Sequence, residues 1–145
     1  MDREQGAAAA GPHPIHAILL GFPIALFTTA LITDIAYLRT AEIQWTNFSA
    51  WLISGALLFG GLVLAWALIA LVIHLRAPNR PRRMLYPGLL AAMWILGLVN
   101  AFKHSQDAWS SVGAFGLILS ILCTILALAA GAVAFSGFAA REVAR

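Results

Sequence analysis

Four long stretches, 17–33, 48–73, 84–102 and 108–140, contain no Asp, Glu, Lys or Arg. About 20 mostly apolar residues make a helix that crosses the hydrocarbon core of a bilayer. Hydrocarbon offers no partner to a backbone N–H or C=O, so such stretches must satisfy their own backbone, and a helix does so within one segment. Overall, 61% of the residues are hydrophobic and 10% are charged, against roughly a quarter charged in soluble domains. Water could not solvate the surface of a fold built from this chain, whereas lipid could. The spans expected are 14–38, 47–75, 84–104 and 110–137. Short connections make sequential helices antiparallel neighbours. The expectation is therefore an all-α integral membrane protein, an up-down bundle of four transmembrane helices over residues 13–138. Residues 1–12 read as a polar, Ala-rich tail and 139–145 as a short C-terminal tail. The N-terminus lacks a basic region leading into a short apolar core, which argues against a cleaved signal peptide.

The sequence pI near 9.8 does not point to nucleic acid, because the basic residues lie in loops and tails. With four spans, Arg3, Arg76, Arg80, Arg82, Arg83, Arg141 and Arg145 share one side of the membrane, and Arg39 and Lys103 the other. The positive-inside rule then places both termini in the cytoplasm of a bacterial inner membrane. Tyr37, Trp45, Trp51 and Trp109 fall near the opposite interface, where aromatic anchors collect. The single cysteine, Cys123, lies within the last span without metal-ligand spacing and reads as an apolar filler.

The sparse polar residues gather at the span ends. Pro14 suits the first turn of a helix, where its missing N–H costs nothing, so His13 caps that helix and His16 lies one turn in. Pro23 interrupts the backbone ladder. His16 and Asp34 are eighteen residues apart, about five turns at ~3.6 residues per turn. They therefore share a face with Leu20, Pro23, Phe27 and Ala30, and that face is expected to point inward because lipid penalises both polar groups. Near the third span's end, Asn100, His104 and Asp107 follow one stripe. Topology gathers Asp34, Asn47, Asn100, Lys103, His104 and Asp107 at one end, and His13, His16 and His74 at the other. Gly116, Ser120 and Thr124 form a small-residue stripe of the kind that lets helices approach closely, inside a bundle or between copies in a homo-oligomer.

The segments HPIHAILLGFPIAL (13–26) and NAFKHSQDAW (100–109), with Asp34 closing the first span, resemble a bacterial family of predicted four-helix membrane proteins of unknown function. Its members share an N-terminal His-Pro-x-His motif running into Phe-Pro-Ile. The resemblance extends from about His13 to Ser136 and implies the four-helix fold and a membrane location, with no established reaction. Some relatives are joined to Rieske-type iron–sulfur domains, which implies redox surroundings; this chain carries no Cys/His set of that kind.

Several functional readings follow from the residues. Histidines on different helices can hold a b-type haem, and here the set would be His13 or His16 with His74. A metal at His104 and Asp107 would need Asp34 as a third ligand. Asp34 could instead pair with Lys103 or bond to Asn100 and simply fix helix register. A proton or solute route could join His16 to Asp34, although only Thr28, Thr29 and Thr33 lie between them as polar groups on that helix. A Gly-x-Ser-x-Gly elbow and a phosphate loop are both missing from the sequence. The preferred reading is a non-enzymatic anchor or scaffold for a periplasmic or respiratory partner, with Asp34, Asn100, His104 and Asp107 as a docking or pH-responsive patch.

Overall fold

A computed structural model describes residues 12–73, 80–105 and 112–142. The chain forms four helices: α1 (Pro14–Thr40), α2 (Ile43–Ile73), α3 (Arg80–His104) and α4 (Ala114–Glu142). Each contains a segment long and apolar enough to cross a membrane: Pro14–Thr40, Ile43–Ile73, Met84–His104 and Ala114–Ser136. Only 22–39% of the most apolar window in each is buried inside the protein, so the remaining apolar surface needs a solvent that is itself apolar. Trp51 and Ile73, 73% and 71% exposed, are the extreme cases.

Local chemistry sets the helix ends. His13 caps α1, its Nδ1 accepting the Ile15 N–H at 3.3 Å, and Pro14 occupies the first helical position, where a donor is not required. Ala41 ends α1 in the left-handed region (φ 57°), with its N–H on the Tyr37 carbonyl at 2.8 Å, a geometry that satisfies a terminal carbonyl. The turn to α2 is therefore tighter than expected, and α2 starts at Ile43 rather than 47. Helix α3 begins at Arg80 instead of 84, taking in Pro81 within its first turn, where the missing donor is harmless. Helix α4 begins at Ala114 rather than 110 and continues to Glu142, into the stretch expected to be tail.

The helices pack in cyclic order, α1 on α2, α2 on α3, α3 on α4 and α4 on α1. Small residues permit this closeness, as expected when lipid provides little drive for association. A β-carbon at Gly97 would meet Phe27 Cζ at 2.8 Å, one at Gly131 would meet Ile24 Cδ1 at 2.9 Å, and one at Gly60 would meet Met93 Cε at 3.1 Å. Gly116, Ser120 and Thr124 are all buried, so that stripe packs within the bundle. Trp94 lies over Gly61 and donates its indole N–H to the Leu57 carbonyl at 3.1 Å, joining α3 to α2.

Helices α1 and α3 face each other across the bundle and run in the same direction. Their meeting surfaces divide into three layers. The middle is apolar, built from Leu20 and Phe27 of α1 and Leu90 and Met93 of α3, with Cys123 and Ala127 of α4 packed beside them, all at most 1% exposed. A polar layer lies at each end.

Candidate functional site

The larger polar layer joins α1, α3 and α4. Asp34, which is fully buried, sits with Oδ1 3.0 Å from His104 Nε2. Its other oxygen accepts the Ser120 hydroxyl at 2.5 Å, and Ser120 in turn accepts from Asn100 Nδ2 at 2.9 Å. The circuit closes where His104 Nδ1 meets the Asn100 backbone carbonyl at 3.0 Å. Asn100 and Ser120 are 0% exposed and His104 6%.

The order of donors along this ring follows from acceptor chemistry. A carbonyl oxygen only accepts, so His104 Nδ1 carries a hydrogen. Asn100 Nδ2 only donates, so Ser120 accepts there and directs its own hydrogen to Asp34. A single hydrogen then occupies the contact between His104 Nε2 and Asp34 Oδ1, either on the ring nitrogen or on the carboxyl oxygen. In both arrangements the pair is neutral overall, which suits a site shielded from water. Asn100 Oδ1 is the one atom of the ring's side chains left without a partner.

The remaining polar groups near this layer also satisfy backbone and each other. Thr33 and Ser49 hydroxyls are 2.6 Å apart, tying α1 to α2. The single Thr124 hydroxyl hydrogen is shared between the Phe27 carbonyl of α1 (3.1 Å) and the Ser120 backbone carbonyl of its own helix (2.8 Å).

Of the residues expected at this end, Asp34, Asn100 and His104 come together. Lys103 is half-buried beside them. Asn47 faces outward and lines a cleft with Glu42, Gln44, Trp45, Phe48 and Trp51. Asp107 and Trp109 lie outside the described residues. Asp34 pairs with His104 and Ser120 in place of the expected Lys103 or Asn100 side chain. The would-be metal ligands His104 Nε2 and Asp34 Oδ1 are bonded to each other, and no group of three His, Cys, Asp or Glu suited to an ion occurs among the described residues. Burial also withdraws Asp34, Asn100 and His104 from the molecular surface.

At the opposite end, His16 is 6% exposed and its Nε2 lies 2.7 Å from the Tyr86 hydroxyl. Trp66 stands against both histidines, with ring centroids 5.7 Å from His13 and 5.4 Å from His16. His74 lies outside the described residues, so the haem expectation meets only its His13 and His16 half here. Ser120, Tyr86 and Trp66 were not among the expected site residues. Ser120 carried a signal in the buried stripe with Gly116 and Thr124; Tyr86 and Trp66 looked like ordinary span residues.

No curated protein and no solved structure matches the chain at a significant level. A family model does match it, over residues 12–141. The fold and the match agree, and the chain belongs to the family described as predicted membrane protein DUF2231.

Proposed function

We propose that the protein is a non-enzymatic membrane scaffold, held in a bacterial inner membrane with both termini on the cytoplasmic side. The observation that carries this reading is the apolar middle layer. The polar side chains pair with one another across the bundle at two levels, and Leu20, Phe27, Leu90 and Met93 fill the space between them without a polar link. Such an arrangement fixes helix register and offers no continuous track for a proton or solute. The distribution of arginines supports the orientation. With Asp34, Asn100 and His104 buried, the surface available to a periplasmic or respiratory partner is the ledge at the α1–α2 turn. There Trp45, Phe48 and Trp51, 40%, 48% and 73% exposed, surround Asn47 and Glu42 in a cleft of about 590 Å³. Aromatic side chains beside a few polar groups make effective contact surfaces.

Two measurements test the reading, the first on the purified chain and the second in native membranes. In proteoliposomes with a trapped pH dye, proton leak should equal that of empty vesicles. A photocrosslinker at Asn47 should capture one defined protein in native membranes, lost on Trp51→Ala and absent with the crosslinker at lipid-facing Val99. A proton flux above background that Asp34→Asn abolishes would overturn the proposal in favour of a conduit.

A further inference from the structure

Glu42 stands in the turn between α1 and α2, and its carbonyl accepts the Trp45 N–H at 3.1 Å. Its carboxylate pairs with no described residue, Arg39 of the preceding turn included. Glu42 lines the cleft of about 590 Å³ together with Gln44, Trp45, Asn47, Phe48 and Trp51, and all six are exposed. One acid, two amides and three aromatic rings therefore share the cleft, and no Lys or Arg lines it. Its complement is cationic at one point, takes hydrogen bonds beside that point, and is apolar at its far end.

Depth narrows the choice. The Ser49 hydroxyl meets that of Thr33, the chain neighbour of Asp34, so Ser49 shares the polar level that bounds the apolar middle layer. Along α1 this level is eighteen residues from His16, about 27 Å, close to the ~30 Å thickness of a bilayer core. Ser49 thus stands near the edge of the core. Glu42 is seven residues farther out, about 10 Å, whereas the headgroup zone is about 5–8 Å deep on each face. The ledge crosses that whole zone, with Trp51 at its acyl side and Glu42 at its water side.

We propose that the ledge binds a phospholipid with an ethanolamine headgroup. The ammonium donates to the Glu42 carboxylate. The phosphate accepts from the side-chain amides of Gln44 and Asn47, neighbours three residues apart on one helix face. The glycerol and upper acyl chain lie on Phe48 and Trp51. The lining comes from one stretch of one helix, so the rings at 45, 48 and 51 form a line and not a cage. A quaternary ammonium is best held by a cage and has no N–H for Glu42, so choline fits less well. A net-anionic headgroup would meet an acid and no base. The inference goes beyond the scaffold reading and does not depend on it; a protein partner reaching the ledge would take the lipid's place.

Native mass spectrometry of the full chain in mild detergent, titrated with phosphatidylethanolamine, phosphatidylcholine or phosphatidylglycerol of identical chains, measures the preference. The ethanolamine lipid should bind about fivefold tighter than the other two, the scale of one exposed ion pair aided by an aromatic face. Glu42→Gln, which keeps the side chain's size and the backbone bond to Trp45, should erase the preference with helicity unchanged by circular dichroism. Glu42→Lys should transfer it to phosphatidylglycerol. Equal affinity for the three lipids would leave the ledge to a protein partner and overturn the proposal. An ethanolamine preference that survives Glu42→Gln would also overturn it, as would lipid-free dimers that Trp51→Ala splits, which would give the ledge to a second copy.

Discussion

The contact between His104 and Asp34 holds one hydrogen, and this has consequences for substitution. Asn at position 34 reproduces the pattern of a neutral pair: its Nδ2 donates to His104 Nε2, and its Oδ1 accepts from Ser120. Asp34→Asn should therefore change stability by less than about 1 kcal/mol. Asp34→Ala leaves His104 Nε2 and the Ser120 hydroxyl unpaired in a buried layer, and His104→Ala strands the carboxyl; each should cost about 3 kcal/mol or more. Removing both partners together, as Asp34→Leu with His104→Leu, should recover much of that loss, because an apolar pair has no unmet hydrogen bonds. Reversible unfolding in mixed micelles measures all four. A loss for Asp34→Asn as large as for Asp34→Ala would show that the charge itself, and not hydrogen-bond satisfaction, stabilises the layer. The sequence made Asp34, Asn100 and His104 legible as a group because isolated polar residues in apolar spans must turn inward. It did not identify Ser120, since a serine in a small-residue stripe serves packing and hydrogen bonding equally well, and spacing along one helix cannot separate the two.

Helix proximity here depends on particular glycines, and their neighbours differ. A β-carbon at Gly97 would stand 2.8 Å from Phe27 Cζ and 3.1 Å from Leu57 Cδ2, between two other helices. Phe27 is 1% exposed and anchors the middle layer, so it has little room to retreat. Gly97→Ala should then destabilise by about 1–3 kcal/mol, the usual range for overpacking. Gly21 is also helical, but nothing lies within 4 Å of a β-carbon there. Gly21→Ala should be neutral or stabilising by up to about 1 kcal/mol through helix propensity. Thermal unfolding of the two variants side by side checks the contrast, and equal effects would mean that propensity outweighs packing at both sites. Uncharged stretches made all four spans legible in the sequence, because composition alone decides which segments leave water. The ends were less so. The start of α2 at Ile43 depends on Ala41 adopting a left-handed backbone, a conformation an alanine does not advertise. The early start of α3 depends on Pro81 falling in a first turn rather than in a loop.

Across the whole molecule, the two polar contacts between α1 and α3 share one register: His16 meets Tyr86 and Asp34 meets His104, each pair seventy residues apart. Eighteen residues therefore separate the two levels on both helices, about 27 Å at ~1.5 Å per residue. The hydrocarbon core of a bilayer is about 30 Å thick, so both layers fall near its edges, with the apolar plug spanning its centre. Helices α1 and α3 are held together by polar contacts at these two depths, and between them size and shape govern their fit. This geometry predicts an accessibility pattern for single cysteines placed in a Cys123→Ala background. Met84→Cys should react with an impermeant maleimide from one side of sealed vesicles, and Thr40→Cys and Ser105→Cys from the other. Leu58→Cys is the decisive position, because Leu58 is 64% exposed on the bare protein yet lies mid-span on α2. Covered by lipid, it should resist the reagent from both sides and react only after detergent gives way to denaturant. Ready labelling of that position in intact vesicles would mean that water, not hydrocarbon, surrounds the middle of the bundle, and the layered arrangement would lose its physical basis.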